Sequence, residues 1–310
     1  MKNFEIKNIL VPVDFSNNSM NAMQTAVAMA KRHDADLKLL HVFDIDNNLY
    51  PEDNMGSNSK PDIAIKTLTR LAASVKSADG VNCSIAYVSG YIPNAILQTA
   101  KSENSDMIVM GKNGNSGHRE MYAGTNSYDV IKKSHCPVLL VPAGKMYENF
   151  RDVLFPARPV MSVFEKYDLI RPIIRQNKAT LHLLALRNPD YIEELHIISK
   201  LTEILKRQSA ADHFNTTASF YFKDNKFAAH VLDTIQKSDQ PFDLVVITAE
   251  LDNNIKDYYL GDYAQQIIHQ SPIPVMVIRA TETISSKAEV LKLIEQSFST
   301  RETPAEMQAS

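Results

Sequence analysis

The chain has 310 residues, of which 44% are hydrophobic and 22% charged, with a formal net charge of −3. That is long for one domain and comfortable for two, and the lack of a basic excess speaks against a nucleic-acid or membrane-surface partner. The N-terminal stretch MKNFEIKNILVPVDFS lacks the apolar core of a secretory signal, and no run approaches the roughly 20 apolar residues that cross a bilayer, so a cytoplasmic protein is expected.

In chain order, Lys7–Val13 is a short apolar run that reads as a buried strand, ended by Asp14-Phe15-Ser16 at a helix start. Asn17–Arg32 carries Met20, Met23, Ala26, Val27 and Ala30 at helical spacing. Leu37–Phe43 is a second buried strand, and the polar, turn-rich stretch Asp44–Pro61 reads as a long loop. An amphipathic helix is expected over Ile63–Val75, a strand over Asn82–Val88 and a helix over Ala95–Lys101. Asp106–Met110 and Pro137–Val141 are further apolar strands, separated by a glycine-bearing loop and a helix that runs to about Ser134. Strands alternating with helices predict an α/β fold with a parallel sheet and crossover helices.

Past Gly144 the pattern begins again. Val153–Val160 aligns with Ile9–Ser16, and Ala179–Leu186 with Ala35–Val42, both at an offset of 144 residues. Phe242–Ala249 aligns with Ser105–Lys112, and Pro274–Ile278 with Pro137–Val141, at an offset of 137. Two sustained offsets imply a duplicated domain with one net deletion, since a repeat of this length is a whole domain rather than a solenoid unit. The expected division is 1–144, 151–280 and a C-terminal segment, 281–310, with a short amphipathic helix at Lys287–Phe298 and a polar tail. Cys83 and Cys136 lie in apolar segments without CxxC spacing and read as free thiols. The nine histidines form no cluster with metal-ligand spacing, so no protein-ligated metal is expected.

The chemistry concentrates after the strand Asp106–Met110. Gly111-Lys112-Asn113-Gly114-Asn115-Ser116-Gly117 follows at once, and Gly124-Thr125-Asn126-Ser127 opens the next helix. In an open parallel sheet, ligands bind beyond the carboxyl ends of strands, where the strand order switches. Glycine lets backbone approach a ligand closely, successive free amides make an anion nest, and a helix start adds unsatisfied N–H groups and a positive dipole end. Together these suit a phosphate chain.

The spacing Gly111-x2-Gly114-x9-Gly124-Thr125, the opening ILVPVDFS and the strand LLHV resemble the universal stress protein family, over both repeats. The resemblance implies two tandem five-stranded parallel open sheets of Rossmann-like type, related to the adenine nucleotide alpha hydrolases, with ATP at the strand ends. It implies that Asp14 faces ribose and adenine, with Pro12 and Val42 beside the base. Gly111, Lys112, Asn113, Gly114, Asn115 and Gly117 would wrap the phosphates, joined by Gly124, Thr125, Asn126 and Ser127. Magnesium or manganese bridging the phosphates is compatible with this, held largely by nucleotide and water. Read from the residues alone, Asp14 serves equally well as a helix N-cap.

The second repeat departs where it matters. Asp14 becomes Arg158, Gly111 becomes Thr248, Gly114 becomes Leu251 and Thr125 becomes Asp262, while Gly124 survives as Gly261. A bulky side chain and a carboxylate at the phosphate position predict a second half that does not bind ATP, with Arg158 and Asp262 paired across it. The resemblance also implies that the last strands of the two halves pair, making an intramolecular pseudo-dimer and leaving further homodimerisation open. The short connection Gly144–Arg151 favours that packing over two independent domains. The leading expectation is an ATP-binding stress or signalling protein whose second half is structural or binds another partner. No general base stands in the loop, so at most slow ATP hydrolysis is expected. A binding module for an apolar ligand or protein partner is the alternative. An adenylating enzyme is disfavoured because Pro12-Val13-Asp14-Phe15-Ser16 lacks the glycines such enzymes carry there.

Overall fold

The computed structural model describes residues 4–43, 60–112, 125–160, 162–186, 192–221, 224, 226–239, 241–249, 251–252 and 259–279. The expected helix Lys287–Phe298, the polar tail and residues 44–59 of the expected loop lie outside these.

The first half runs β1 (Asn8–Pro12), α1 (Asn17–His33), β2 (Asp36–Phe43), α2 (Lys60–Ser74), β3 (Cys83–Ser89), α3 (Ile92–Ser102), β4 (Met107–Gly111), α4 (Thr125–Lys133) and β5 (Val138–Val141). The second runs β6 (Asp152–Ala157), α5 (Ser162–Asn177), β7 (Thr180–Leu186), α6 (Ile192–Ala211), β8 (Asn215–Tyr221), α7 (Phe227–Lys237) and β9 (Leu244–Ala249). It continues through β10 (Leu251–Asp252), β11 (Tyr259–Leu260), α8 (Asp262–Gln270) and β12 (Val275–Arg279). Two helices begin earlier than the apolar spacing predicts, because Pro61 and Pro93 occupy first turns, where a missing N–H costs nothing. Past Ser74, α2 continues as a π turn, Val75–Asp79, and stops at Gly80 with φ 70°.

The strands form one ten-stranded sheet in the order β3-β2-β1-β4-β5-β12-β9-β6-β7-β8. Within each half all neighbours are parallel, and the halves meet where β5 and β12 pair antiparallel, Leu139 opposite Met276. The expected pair of five-stranded sheets is therefore fused edge to edge. Alternation along the strands sends Val11, Leu39, Val109 and Leu139 to one face, covered by α1, α2, α5 and α6. Leu10, Leu40, Ile108 and Leu140 go to the other, covered by α3, α4, α7 and α8. Among the described residues no helix is long and apolar enough to cross a membrane. Cys83, half-buried, and Cys136, buried, are free thiols.

The duplication extends to hydrogen bonds that hold the strands in register. The Asp106 carboxylate accepts the Lys7 and Asn8 amides, both at 2.8 Å, and Asp243 likewise accepts those of Arg151 and Asp152 at 2.9 and 3.2 Å. The connector between the halves sends two side chains into the core: Phe150 is fully buried and Tyr147 nearly so. The Tyr147 amide donates to Thr25 Oγ1 on α1 at 2.9 Å, and the Phe150 amide to Asn177 Oδ1 on α5 at 3.1 Å.

Truncating Phe150 to alanine removes a buried ring from this junction, and a loss of about 3–5 kcal/mol in urea unfolding is expected. At the end of α1, burial and the nearby Arg32 and Lys7 push the His33 imidazole down to about 4, and its Nε2 is buried without a partner. The folded state thus resists a proton that the unfolded chain takes up below about 6.5. Stability is expected to fall by up to roughly 3 kcal/mol as pH drops from about 6.5 to 4. Urea unfolding at several pH values should show that dependence weakened in His33→Leu.

Candidate functional site

In the first half the chain leaves β1 to one side, towards β2 and β3, and returns to the other, towards β4 and β5. The crevice between the carboxyl ends of β1 and β4 is therefore the switch point at which such sheets bind ligands. Asp14 stands just beyond β1 and is exposed, and Gly111 is the last residue of β4. Asp14 is not the cap of α1. Ser16 is, with its Oγ accepting the Ser19 amide at 3.2 Å. Asp14 Oδ1 instead accepts the Ser16 amide at 3.0 Å and the Ser16 hydroxyl at 2.6 Å, a local turn that fixes the carboxylate at the mouth of the crevice.

Gly111 has a packing reason to be glycine. A Cβ there would lie 3.1 Å from the backbone carbon and oxygen of Asn18, in the first turn of α1. Ala22, Ala26 and Ala30, spaced four apart and buried, let that helix lie close to the sheet. Ser127, in the first turn of α4, is buried and its Oγ donates to the Gly111 carbonyl at 3.3 Å. The strand end and helix start that bracket the glycine loop are thus tied together. Thr125 opens α4 and Asn126, next to it, is partly exposed. Asn113, Gly114, Asn115, Gly117 and Gly124 lie outside the described residues.

Lys112, the first residue after β4, reaches the other half. Its amide donates to the Val141 carbonyl at 2.8 Å, and its ammonium to the Ser271 carbonyl at 2.9 Å, at the carboxyl end of α8 in the other half. A cation is favoured there by the negative end of a helix dipole. Burial pushes the Lys112 ammonium down to about 8. Its charge is placed at the contact between the halves.

Beside the crevice, Pro12 and Val42 are both half-buried, which leaves apolar surface at the mouth. Their counterparts in the second half, Pro156 and Leu186, are buried. There Lys166 reaches back to the Pro156 carbonyl and lies 4.0 Å from the centre of the Phe155 ring. Arg158 does not pair with Asp262, as the sequence had suggested; its guanidinium lies 4.6 Å over the ring of Tyr263, the next residue. A flat, weakly hydrated cation gains from a π face, while Asp262 stays exposed at its helix start. The space left among Arg158, Lys166, Thr248 and Tyr263 is about 10 Å³, no more than one water needs. Where the first half has its glycine loop, β10 and β11 make a two-stranded ribbon, Leu251 opposite Leu260.

One feature of the first-half crevice was not legible in the sequence. Phe15 adopts φ 63°, uncommon for a bulky residue, and stacks on His41 with ring centres 4.7 Å apart. His41 Nδ1 bonds with the Val13 carbonyl at 2.7 Å, holding the turn after β1. The LLHV motif contains that histidine, but only the fold brings it to Phe15. Among the described residues no group of three or more His, Cys, Asp or Glu could hold a metal ion.

A doubly wound half-sheet with its crevice bracketed by a glycine-ended strand and a helix start defines an α/β domain with its ligand crevice at the switch point. Residues 5–142 match the model of the Universal stress protein family. The universal stress protein YxiE of Bacillus subtilis is 32% identical over 143 residues, which cover 43% of this chain and 97% of that protein. A universal stress protein of Thermus aquaticus is 30% identical over 136 residues, covering 44% of this chain and 98% of that one. The chain belongs to the universal stress protein family. The second half is reached by a solved structure, a universal stress protein from Archaeoglobus fulgidus. It superposes with a TM-score of 0.69 at 15% identity, over 90% of this chain and 99% of that one, a likeness of fold.

Replacing Gly111 by alanine should force the first turn of α1 outward, since the obstructing atoms are backbone. A loss of about 1–3 kcal/mol is expected in chemical denaturation.

Proposed function

We propose that the chain is an ATP-binding stress or signalling protein in which nucleotide occupies the first domain, 1–144, and not the second, 151–280. The observation that carries this reading is the contrast between two crevices at equivalent places in one duplicated fold. The first has an exposed carboxylate, half-buried apolar walls and a glycine-bearing loop; the second is filled by its own side chains.

The described residues suit an adenine nucleotide. Asp14 can accept hydrogen bonds from ribose hydroxyls, and Pro12 and Val42 offer apolar contact to a base. Gly111 and Ser127 hold the two ends of the loop together. The loop amides of Asn113, Gly114, Asn115 and Gly117, with Gly124, Thr125 and Asn126 at the start of α4, supply donors and a helix dipole to the phosphates. Lys112 anchors this assembly to the other half. Magnesium or manganese, where bound, would neutralise phosphate charge and is held largely by nucleotide and water. The role is that of a nucleotide-dependent switch in the cytoplasm rather than of a fast enzyme.

Calorimetric titration of ATP with magnesium tests it. One nucleotide per chain is expected in the wild type, with the heat abolished in Gly114→Leu, which carries the second half's residue into the first. Absence of heat from nucleotide-stripped wild type, or two nucleotides per chain, would overturn the reading.

A further inference from the structure

The second half has lost the nucleotide residues, but it has gained others at the opposite end of its strands. A cleft of about 180 Å³ opens at the amino-terminal edge of β7 and β8, lined by Ile174, Arg175, Lys178, Asp212, His213 and Phe214 among others. The strand registers give the counterparts in the first half. Leu37 pairs with Cys83 where Leu181 pairs with Thr216, so Asp34 corresponds to Lys178, Asp79 to Asp212, Gly80 to His213 and Val81 to Phe214. There the first half has two acids, each paired with a lysine: Asp79 takes Lys31 at 3.3 Å and Asp34 takes Lys7 at 3.7 Å. In the second half one acid has become a lysine and a glycine has become a histidine.

The remaining carboxylate is spoken for. Asp212 accepts the Tyr167 hydroxyl at 2.8 Å and pairs with Arg171 at 2.5 Å, from positions held by Met23 and Val27 in the first half. Arg175 stands 3.6 Å from the same carboxylate, half exposed, with its guanidinium 5.9 Å from the Phe214 ring. Lys178 is exposed and, among the described residues, makes no side-chain ion pair. Counting Arg171, Arg175 and Lys178 against Asp212 and Asp168, which stands 3.6 Å from Arg171, leaves one positive charge, and the carboxyl ends of α5 and α6 offset about half a charge each. The positive charge is therefore local: among the described residues Lys178 lines the cleft without a carboxylate partner, beside an aromatic and aliphatic floor. His213 adds a ring at its mouth and holds φ 59°, a conformation its glycine counterpart adopts freely.

We infer that this cleft is a second ligand site, specific to the degenerate half, for a small organic anion. Its carboxylate or phosphate group meets Lys178, Arg175 and His213, and its apolar body lies on Phe214. Because β5 and β12 run antiparallel, the cleft opens at the same edge of the ten-stranded sheet as the first half's crevice. The site does not depend on nucleotide binding there.

The test is an NMR titration of the full chain that follows the His213 imidazole signals, assigned by their loss in His213→Gly. The probes are phenyl phosphate, benzoate, inorganic phosphate and benzyl alcohol. A saturable shift with phenyl phosphate or benzoate and none with benzyl alcohol is expected; the tighter of the two names the anion. Lys178→Asp, the first half's residue, should weaken that probe by at least about tenfold with an unchanged melting temperature, the loss of a charge-assisted contact. No saturable shift with either aromatic anion, or equal affinity in Lys178→Asp, would overturn the proposal. Inorganic phosphate binding as tightly as phenyl phosphate would overturn the part given to Phe214.

Discussion

The antiparallel pairing of β5 with β12 is the constraint on which the rest of the molecule depends. Both strands are apolar on both faces, because helices cover the sheet above and below. Left unpaired, either would present a row of bare N–H and C=O groups on a hydrophobic ribbon, which templates aggregation. Fusing two copies in one chain gives each edge a partner at high effective concentration. It also turns the halves head to tail, so that the carboxyl ends of one set of strands share an edge with the amino ends of the other.

The connector follows from that geometry. Since the halves sit against each other, the segment joining them turns two side chains inward, and Tyr147 and Phe150 become core residues of the junction. Lys112 belongs to the same contact: its ammonium crosses to the α8 terminus from the first residue after β4. A residue at the end of β4 is thereby attached to the second half.

A duplicated fold lets one half change its polar residues while both keep their cores. The second half shows this. Its strands hold the same register and the same Asp-capped strand starts, while its crevice is filled by Lys166, Arg158 and Tyr263. Cation–π and carbonyl contacts hold the charged groups that fill it.

Much of this was determined by the sequence. Strand and helix order, the duplication with its two offsets, and the place of the glycine loop all follow from local apolar period and from residues repeated at fixed distance. Even the strand-start aspartates are present in the repeat, as Asp106 and Asp243. The helix starts at Lys60 and Ile92 were less legible, because a proline in a first turn looks the same as one in a loop. What only the tertiary structure decided is which groups face each other across long separations. Gly111 answers to the backbone of Asn18, and Lys112 to Ser271. Arg158 answers to Tyr263 rather than to Asp262, its apparent partner by homologous position. Apolar periodicity is written locally, because burial depends on which face a residue takes. The partner of a polar group is set by the three-dimensional arrangement of segments far apart in the chain, and no local pattern encodes it.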